Sequence, residues 1–405
     1  MADYKGMAYL KRKLAAKKSR VDLRYRYYEM KFITRDLGIS TPPDLRNWIS
    51  VLGWCGRAVD CLADRLSFRS FENDVFDMNG IYEANNQDIF IDSALLGALI
   101  SACDFIYITA NESGFPLMRV IDGRHATGII DPTTNMLKEG YAVIETDEWD
   151  RPVTEAYFIP GETWIYEKGA REPYMVANAA PYPLLVPIIY RPDAVRPFGH
   201  SRISRACMNI VQSAVRTVKR SEISAEFYSY PQKYVLGLSQ DAERMEKWKA
   251  SMSSMLQFDK DEDGDHPSVG QFQAAAQTPH TEQLRMFAGL FAGETGLTLD
   301  DLGFPSQNPS SSEAIKASHE TLRLTARRAQ KTFGVGLLNA GYLAACVRDD
   351  YPYLRNQVVR TELKWDPIFE PDISSLSGVG DAVQKIQTAF PGYFDEAKLK
   401  DLTGI

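Results

Sequence analysis

The sequence predicts an α+β fold, and three observations carry that prediction. Residues 201–228 contain neither glycine nor proline and keep one apolar stripe at helical spacing. Residues 105–167 break into short apolar runs separated by turn chemistry. Helical and extended patterns come in blocks, not as alternating βαβ units, which argues against a doubly wound sheet.

The N-terminal stretch is basic: Lys5, Lys11, Arg12, Lys13, Lys17, Lys18, Arg20, Arg24 and Arg26 are opposed only by Asp3 and Asp22. It reads as a solvated arm or first helix, or as a contact for nucleic acid or an acidic neighbour. Tyr25, Tyr27 and Tyr28 beside Arg24, Arg26 and Lys31 fit base stacking or ordinary amphipathic packing equally well. Residues 45–66 predict a helix with Trp48, Val51, Leu52, Val59 and Leu62 inward, and 65–71 alternate as a half-buried strand. A buried helix is expected over 82–102, followed by strands at 105–109, 117–121, 142–145, 153–159 and 163–167. Glu112-Ser113-Gly114, Asp122-Gly123 and Asp131-Pro132 supply the turns. Five prolines between 181 and 197 enforce an extended path.

The helix over 201–228 would be roughly 40 Å long at 1.5 Å per residue. Ile203, Cys207, Ile210, Val211, Ala214 and Val218 line one side, with Arg202, Arg205, Asn209, Gln212, Arg216 and Lys219 on the other. A small α/β insert follows: strands at 230–238 and 269–274 around a helix at 242–255. Leu284, Phe287, Leu290 and Phe291 then mark a helix that stops at Gly293-Glu294-Thr295-Gly296. After a long loop, Ser310 and Glu313 stand at capping-box spacing and open another helix. Its apolar stripe is Ile315, Leu322, Ala326, Ala329 and Phe333; Lys316, Glu320, Arg323, Arg327 and Lys331 lie opposite. A loop of that length between helices is usually functional. Residues 382–390 form a short amphipathic helix ended by Pro391-Gly392, with a further turn or two at 395–402.

Composition sets wider bounds. The 405 residues are 44% hydrophobic and 24% charged, as expected of a folded chain. No charge-free run approaches the ~18 residues of a membrane span, and no signal-peptide pattern opens the chain. Five widely spaced cysteines without a C-x-x-C pair read as reduced thiols. A net charge of −7 argues against a protein that clamps DNA over a broad surface.

Catalytic signatures are sparse. No Walker-type phosphate loop, H-E-x-x-H or G-x-S-x-G occurs, and the five histidines are scattered singly. Asp259, Asp261, Asp263 and Gly264 open like a calcium loop, but Gly270 stands where the bidentate Glu belongs, so no metal is expected. Two other readings stay open: a soluble polymer-acting hydrolase using Glu145, Glu155 and Glu167, or a monomeric protein adaptor.

The segment Asn308-Pro309-Ser310-Ser311-Ser312-Glu313-Ala314-Ile315, the Phe198-Gly199-His200-Ser201-Arg202-Ile203 run and the ending Asp381-Ala382-Val383-Gln384-Lys385-Ile386 resemble the portal proteins of tailed bacteriophages, in their siphophage-type branch. The resemblance implies a portal-like fold: an α/β wing over 1–196, a first stem helix over 197–227 and a clip over 228–277. A second stem helix over 278–294, a channel loop over 295–309, further wing over 310–370 and a short crown-like helical segment over 371–405 complete it. It implies a non-enzymatic homo-oligomeric ring of about twelve copies, without cofactor, metal or membrane contact, at the portal vertex of a virion and assembled in the host cytoplasm. Double-stranded DNA would pass through during packaging and ejection without base readout. The terminase large subunit, a head-completion adaptor, and the major capsid and scaffolding proteins are the implied partners. Thr298, Asp300, Asp301, Gln307 and Asn308 are then expected at the channel. Arg202, Arg205, Arg216 and Lys219 are expected between subunits, and Asp259, Asp261, Glu262, Asp263 and Asp265 at the docking end of the clip.

Overall fold

The computed structural model describes residues 4–34, 45–229, 233–236, 268–271, 276–305, 312–369, 373–394 and 399. Gln307, Asn308, the acidic run from Asp259 to Asp265, the helix expected over 242–255 and the Ser310 cap lie outside the described residues.

The basic N-terminal stretch is a docked helix, α1 (Met7–Tyr28), rather than a solvated arm. Leu10 and Leu14 bury against Tyr141 and Val143. The Glu139 carboxylate accepts from the amides of Lys5 at 2.8 Å and Gly6 at 3.0 Å, satisfying backbone donors just ahead of the helix. Much of the positive charge is engaged within the chain. Lys13 Nζ donates to Gly128 O, Lys17 Nζ to Ala126 O and Arg24 Nη1 to Ser101 O, each at 2.6 Å. Lys11 pairs with Glu155 and Lys18 with Asp150.

Helix α2 (Trp54–Ala63) starts nine residues later than expected, because the chain from 48 to 53 is a loop. Trp48 and Val51 are exposed rather than inward, and Trp48 Nε1 donates to Glu222 at 2.9 Å. Strand β1 (Phe68–Glu72) follows, then α3 (Met78–Ala84) and α4 (Gln87–Ser101). The expected single helix breaks at Asn85 and Asn86. Asn86 adopts a left-handed φ of 54°, and the Asn85 side chain bonds Ile81 O, Pro116 O and Met118 N.

Strands β2 (Cys103–Ala110), β3 (Pro116–Ile121), β4 (Ala126–Ile130), β5 (Leu137–Thr146), β6 (Pro152–Ile159), β7 (Glu162–Glu167), β8 (Tyr174–Ala177) and β9 (Leu185–Ile189) form two sheets. One is a five-stranded antiparallel meander in the order β4-β5-β6-β7-β8; the other is three-stranded in the order β3-β2-β9. Strand β9 lies inside the proline-rich segment. It is an edge strand, so the missing amide of Pro187 breaks no inner ladder.

Beyond the sheets come α5 (Arg205–Ser229) and the paired strands β10 (Lys233–Leu236) and β11 (Ser268–Gln271). Next are α6 (Thr278–Thr295), α7 (Ser312–Ser318), α8 (Glu320–Arg348), β12 (Glu362–Trp365), which pairs with β1, and α9 (Ile373–Ala389). Helix α8 runs well past Phe333 despite glycines that weaken helices by propensity. Those glycines permit close packing: a Cβ on Gly336 would come 2.7 Å from Ile188 Cδ1, and one on Gly341 2.7 Å from Met78 Sδ. All five cysteines are buried and free. Among the described residues no helix is long and apolar enough to cross a membrane, and no group of metal-ligating side chains gathers.

Candidate functional site

The start of α5 is built by the Gly199-x-Ser201-x-Ile203 segment. Gly199 takes φ +73°, and a Cβ there would sit 2.1 Å from Tyr190 O, so only glycine fits. Ser201 Oγ donates to Ile100 O at 2.6 Å and accepts from Ile203 N at 3.0 Å, while Ile203 is fully buried. Arg202 is equally internal. Its amide donates to Leu99 O at 2.8 Å, its Nε to Ala58 O at 3.1 Å, and its Nη2 to Thr295 O. One buried guanidinium thereby ties the head of α5 to α2 and to the tail of α6.

Helices α5 and α6 run antiparallel, and three polar contacts fix their register. Ser204 Oγ donates to Glu294 at 2.7 Å, Thr217 Oγ1 to Gln283 at 3.0 Å and Ser221 Oγ to Gln277 at 3.1 Å. Val211, Ala214 and Val215 of α5 and Ala288, Phe291 and Ala292 of α6 are buried. The opposite side of α6 exposes Glu282, Met286, Gly289, Leu290 and Gly293, which recur at helical spacing. A Cβ at Gly289 or Gly293 would meet nothing within 4 Å. Glycine in a helix interior costs roughly 1 kcal/mol against alanine, and no close approach within the protomer requires it at either position.

The loop after α6 is tied down over its first half. Gly296 caps the helix at φ +71°, its amide donating to Ala292 O at 2.7 Å. Leu297 and Leu302 are buried, and Leu299 and Phe304 pack against the core. Thr298 donates to the Asp301 carboxylate from both its amide and its hydroxyl, each at 2.9 Å, and the Asp301 amide returns a bond to Thr298 Oγ1 at 3.2 Å. His319 completes the knot. Its Nε2 lies 3.1 Å from Asp301 Oδ2 and its Nδ1 2.9 Å from Ile315 O, at the residue where α7 ends and α8 begins. Burial works against the Asp301 carboxylate, but the bonds from Thr298 and His319 outweigh it and hold its pKa below the ordinary range.

No protein-family model matches the chain. It is 23% identical to the portal protein of Mycobacterium phage L5 over 390 residues, covering 89% of this chain and 77% of that protein. It is 24% identical to the portal protein of Mycobacterium phage D29 over 385 residues, with the same coverage. Along 89% of its length the chain is thus similar to phage portal proteins. Among solved structures it is similar to a chain from the neck of a native gene transfer agent particle, at 15% identity and a TM-score of 0.49, covering 95% of this chain and 99% of that one. A chain of the gene transfer agent virion gives 14% identity and a TM-score of 0.47, covering 87% and 89%. Both are distant likenesses.

In this chain the residues expected at functional positions separate clearly. Asp300 is exposed, whereas Thr298 bonds Asp301 and Asp301 in turn meets His319. Of the four basic residues expected between subunits, Arg205 is exposed. Arg216 is half-buried with Nη2 on Ser213 Oγ, and Lys219 is buried with Nζ on Arg46 O at 2.9 Å. Arg202 and Lys219 are therefore engaged inside the protomer, where both are buried and donate to backbone carbonyls of other segments. Glu145, Glu155 and Glu167 do not converge on a common centre. They accept from Thr154, from Tyr141 and Lys11, and from Tyr174 respectively. His319 and the Gly289–Gly293 pair were not singled out in the sequence. A lone histidine gives no signal, but two glycines four apart inside a helical pattern could have been noticed.

Proposed function

We propose that the chain is a portal protein, whose copies form a closed ring at one vertex of a phage-like capsid and through which double-stranded DNA is packaged and released. The observation that carries this reading is the relation to two portal proteins across 89% of the chain. The described elements support it: an antiparallel helix pair, a small two-stranded insert between them, a loop, and then the long α8. In this reading α5 and α6 are the stem, the insert is the clip that meets the terminase large subunit and then a head-completion adaptor, and 295–309 is the channel loop. The sheets and α8 form the wing facing capsid and scaffolding proteins. The virion is then its place of action, after assembly in host cytoplasm.

Chemistry constrains the conduit. Each copy carries −7, so the ring as a whole repels a polyanion and does not hold the duplex through many phosphate contacts. Asp300 is the described acidic residue we assign to the bore, and Arg205 the cation we assign to the neighbouring subunit. The role is structural; no described constellation favours the hydrolase reading. Negative-stain imaging and native mass measurement of the purified protein test the proposal. Rings with a central hole are expected. A protein that stays monomeric at every concentration, even with its scaffolding and shell proteins present, would overturn it.

A further inference from the structure

The surface that closes the ring can be named, on the basis of the function proposed above. We infer that the exposed face of α6 formed by Met286, Gly289, Leu290 and Gly293 is the seat for α5 of a second copy. Met286 and Leu290 are 53% and 54% exposed, an apolar pair left open on a helix whose other side buries Ala288, Phe291 and Ala292. The two glycines between and beyond them leave open space where side chains would stand. A helix face without side chains at those two positions admits the backbone of another helix closely.

Charge selects the occupant. The side of α5 turned away from the core carries Arg205, Arg216 and Arg220 with Asn209 at helical spacing, while Glu282 stands at one end of the α6 face and Arg285 on its flank. The Thr217–Gln283 and Ser221–Gln277 bonds place Arg216 and Arg220 level with Glu282 in the same chain, and Ser204–Glu294 places Arg205 level with Gly293. Rotation about a ring axis preserves height, so for helices running along that axis the neighbour's Arg216 and Arg220 arrive beside Glu282. The contact is heterologous, α5 of one copy on α6 of the next, which is the kind that closes into a ring. A second copy of α6 on the same seat, held at the same height by the ring axis, would set Glu282 level with Glu282 and Arg285 level with Arg285, like charge against like.

Two sets of variants test this. Gly289→Leu with Gly293→Leu fills the seat where the protomer has room, so the far-ultraviolet spectrum and the monomer's melting should persist while the ring fraction falls at least tenfold. Glu282→Arg and Arg220→Glu should each lower the ring fraction, and the two combined should restore it. Unchanged rings in the leucine variant would overturn the inference while leaving the portal reading in place. Should the leucine variant misfold, failure of the charge exchange to restore rings decides against it. Absence of rings in the unaltered protein would remove both.

Discussion

Asp104 lies wholly inside the protein, with its Oδ1 accepting from Ser101 Oγ at 2.6 Å and from the Gly123 amide at 2.9 Å. Burial pushes its carboxyl up to about 7. Nearby, burial brings Lys17 down to about 8, and the bond to Asp122, aided by Asp150, raises His125. The signs combine into a testable profile. The folded state keeps a proton on Asp104 that the unfolded chain releases above about pH 4, so stability falls as pH rises toward 7. The contribution of His125 is complete below about 6.5 and is lost as pH passes through its raised folded value. Lys17 acts in the other direction, since above about 8 the folded state no longer needs the proton that the unfolded chain still holds. A melting temperature that falls from pH 6 to 8 and then levels or recovers is expected, with a shallower fall in His125→Gln. A flat profile would sink this assignment. Gly97 supplies a second check at the same carboxyl, because a Cβ there would lie 1.8 Å from Asp104 Oδ2. Gly97→Ala should cost about 1–3 kcal/mol by overpacking, measured by denaturant unfolding, despite its better helix propensity.

Among elements, the described part of the loop after α6 is held by one polar knot, Thr298, Asp301 and His319, over its buried leucines. Asp301→Ala removes the acceptor for Thr298 and His319 together and should cost about 1–3 kcal/mol locally. Amide exchange across 297–304 should accelerate while β2 and β5 keep their protection; unchanged exchange in the loop would show that the knot does not hold it. The same elements explain what sequence alone could reveal. Helix α5 was legible nearly to its ends, since no Gly or Pro interrupts its period, and the strands from β2 to β7 were mostly marked by their turns. Strands β4 and β8 were missed because they are short, and β9 because prolines masked it until its edge position was known. The extension of α8 through Gly334 and Gly336 sets these glycines against Leu363 of β12 and Ile188 of β9, contacts that no local pattern encodes. At the candidate site, residue type identified Arg202, Arg205, Arg216 and Lys219 as one polar face, yet partners from three other segments decide which of them is inside.

At the scale of the whole molecule, that division of arginines separates folding from assembly. Arg202→Ala leaves the carbonyls of Ala58 and Thr295 without their donor and should lower protomer stability by about 2–3 kcal/mol. Arg205→Ala should leave the melting temperature unchanged and act on ring yield, most visibly at low salt, where exposed charges are least screened. Equal losses of stability in the two variants would contradict the split. The anchoring of α1 has a consequence for biosynthesis. Its cap comes from Glu139, and Lys13 and Lys17 reach carbonyls at residues 128 and 126, more than a hundred positions downstream. An isolated helix of 22 residues with so much like charge is marginal in water. These anchors lie on β4 and β5, so α1 cannot dock before both strands have been translated, and until then its cations stay open to any polyanion in the cell.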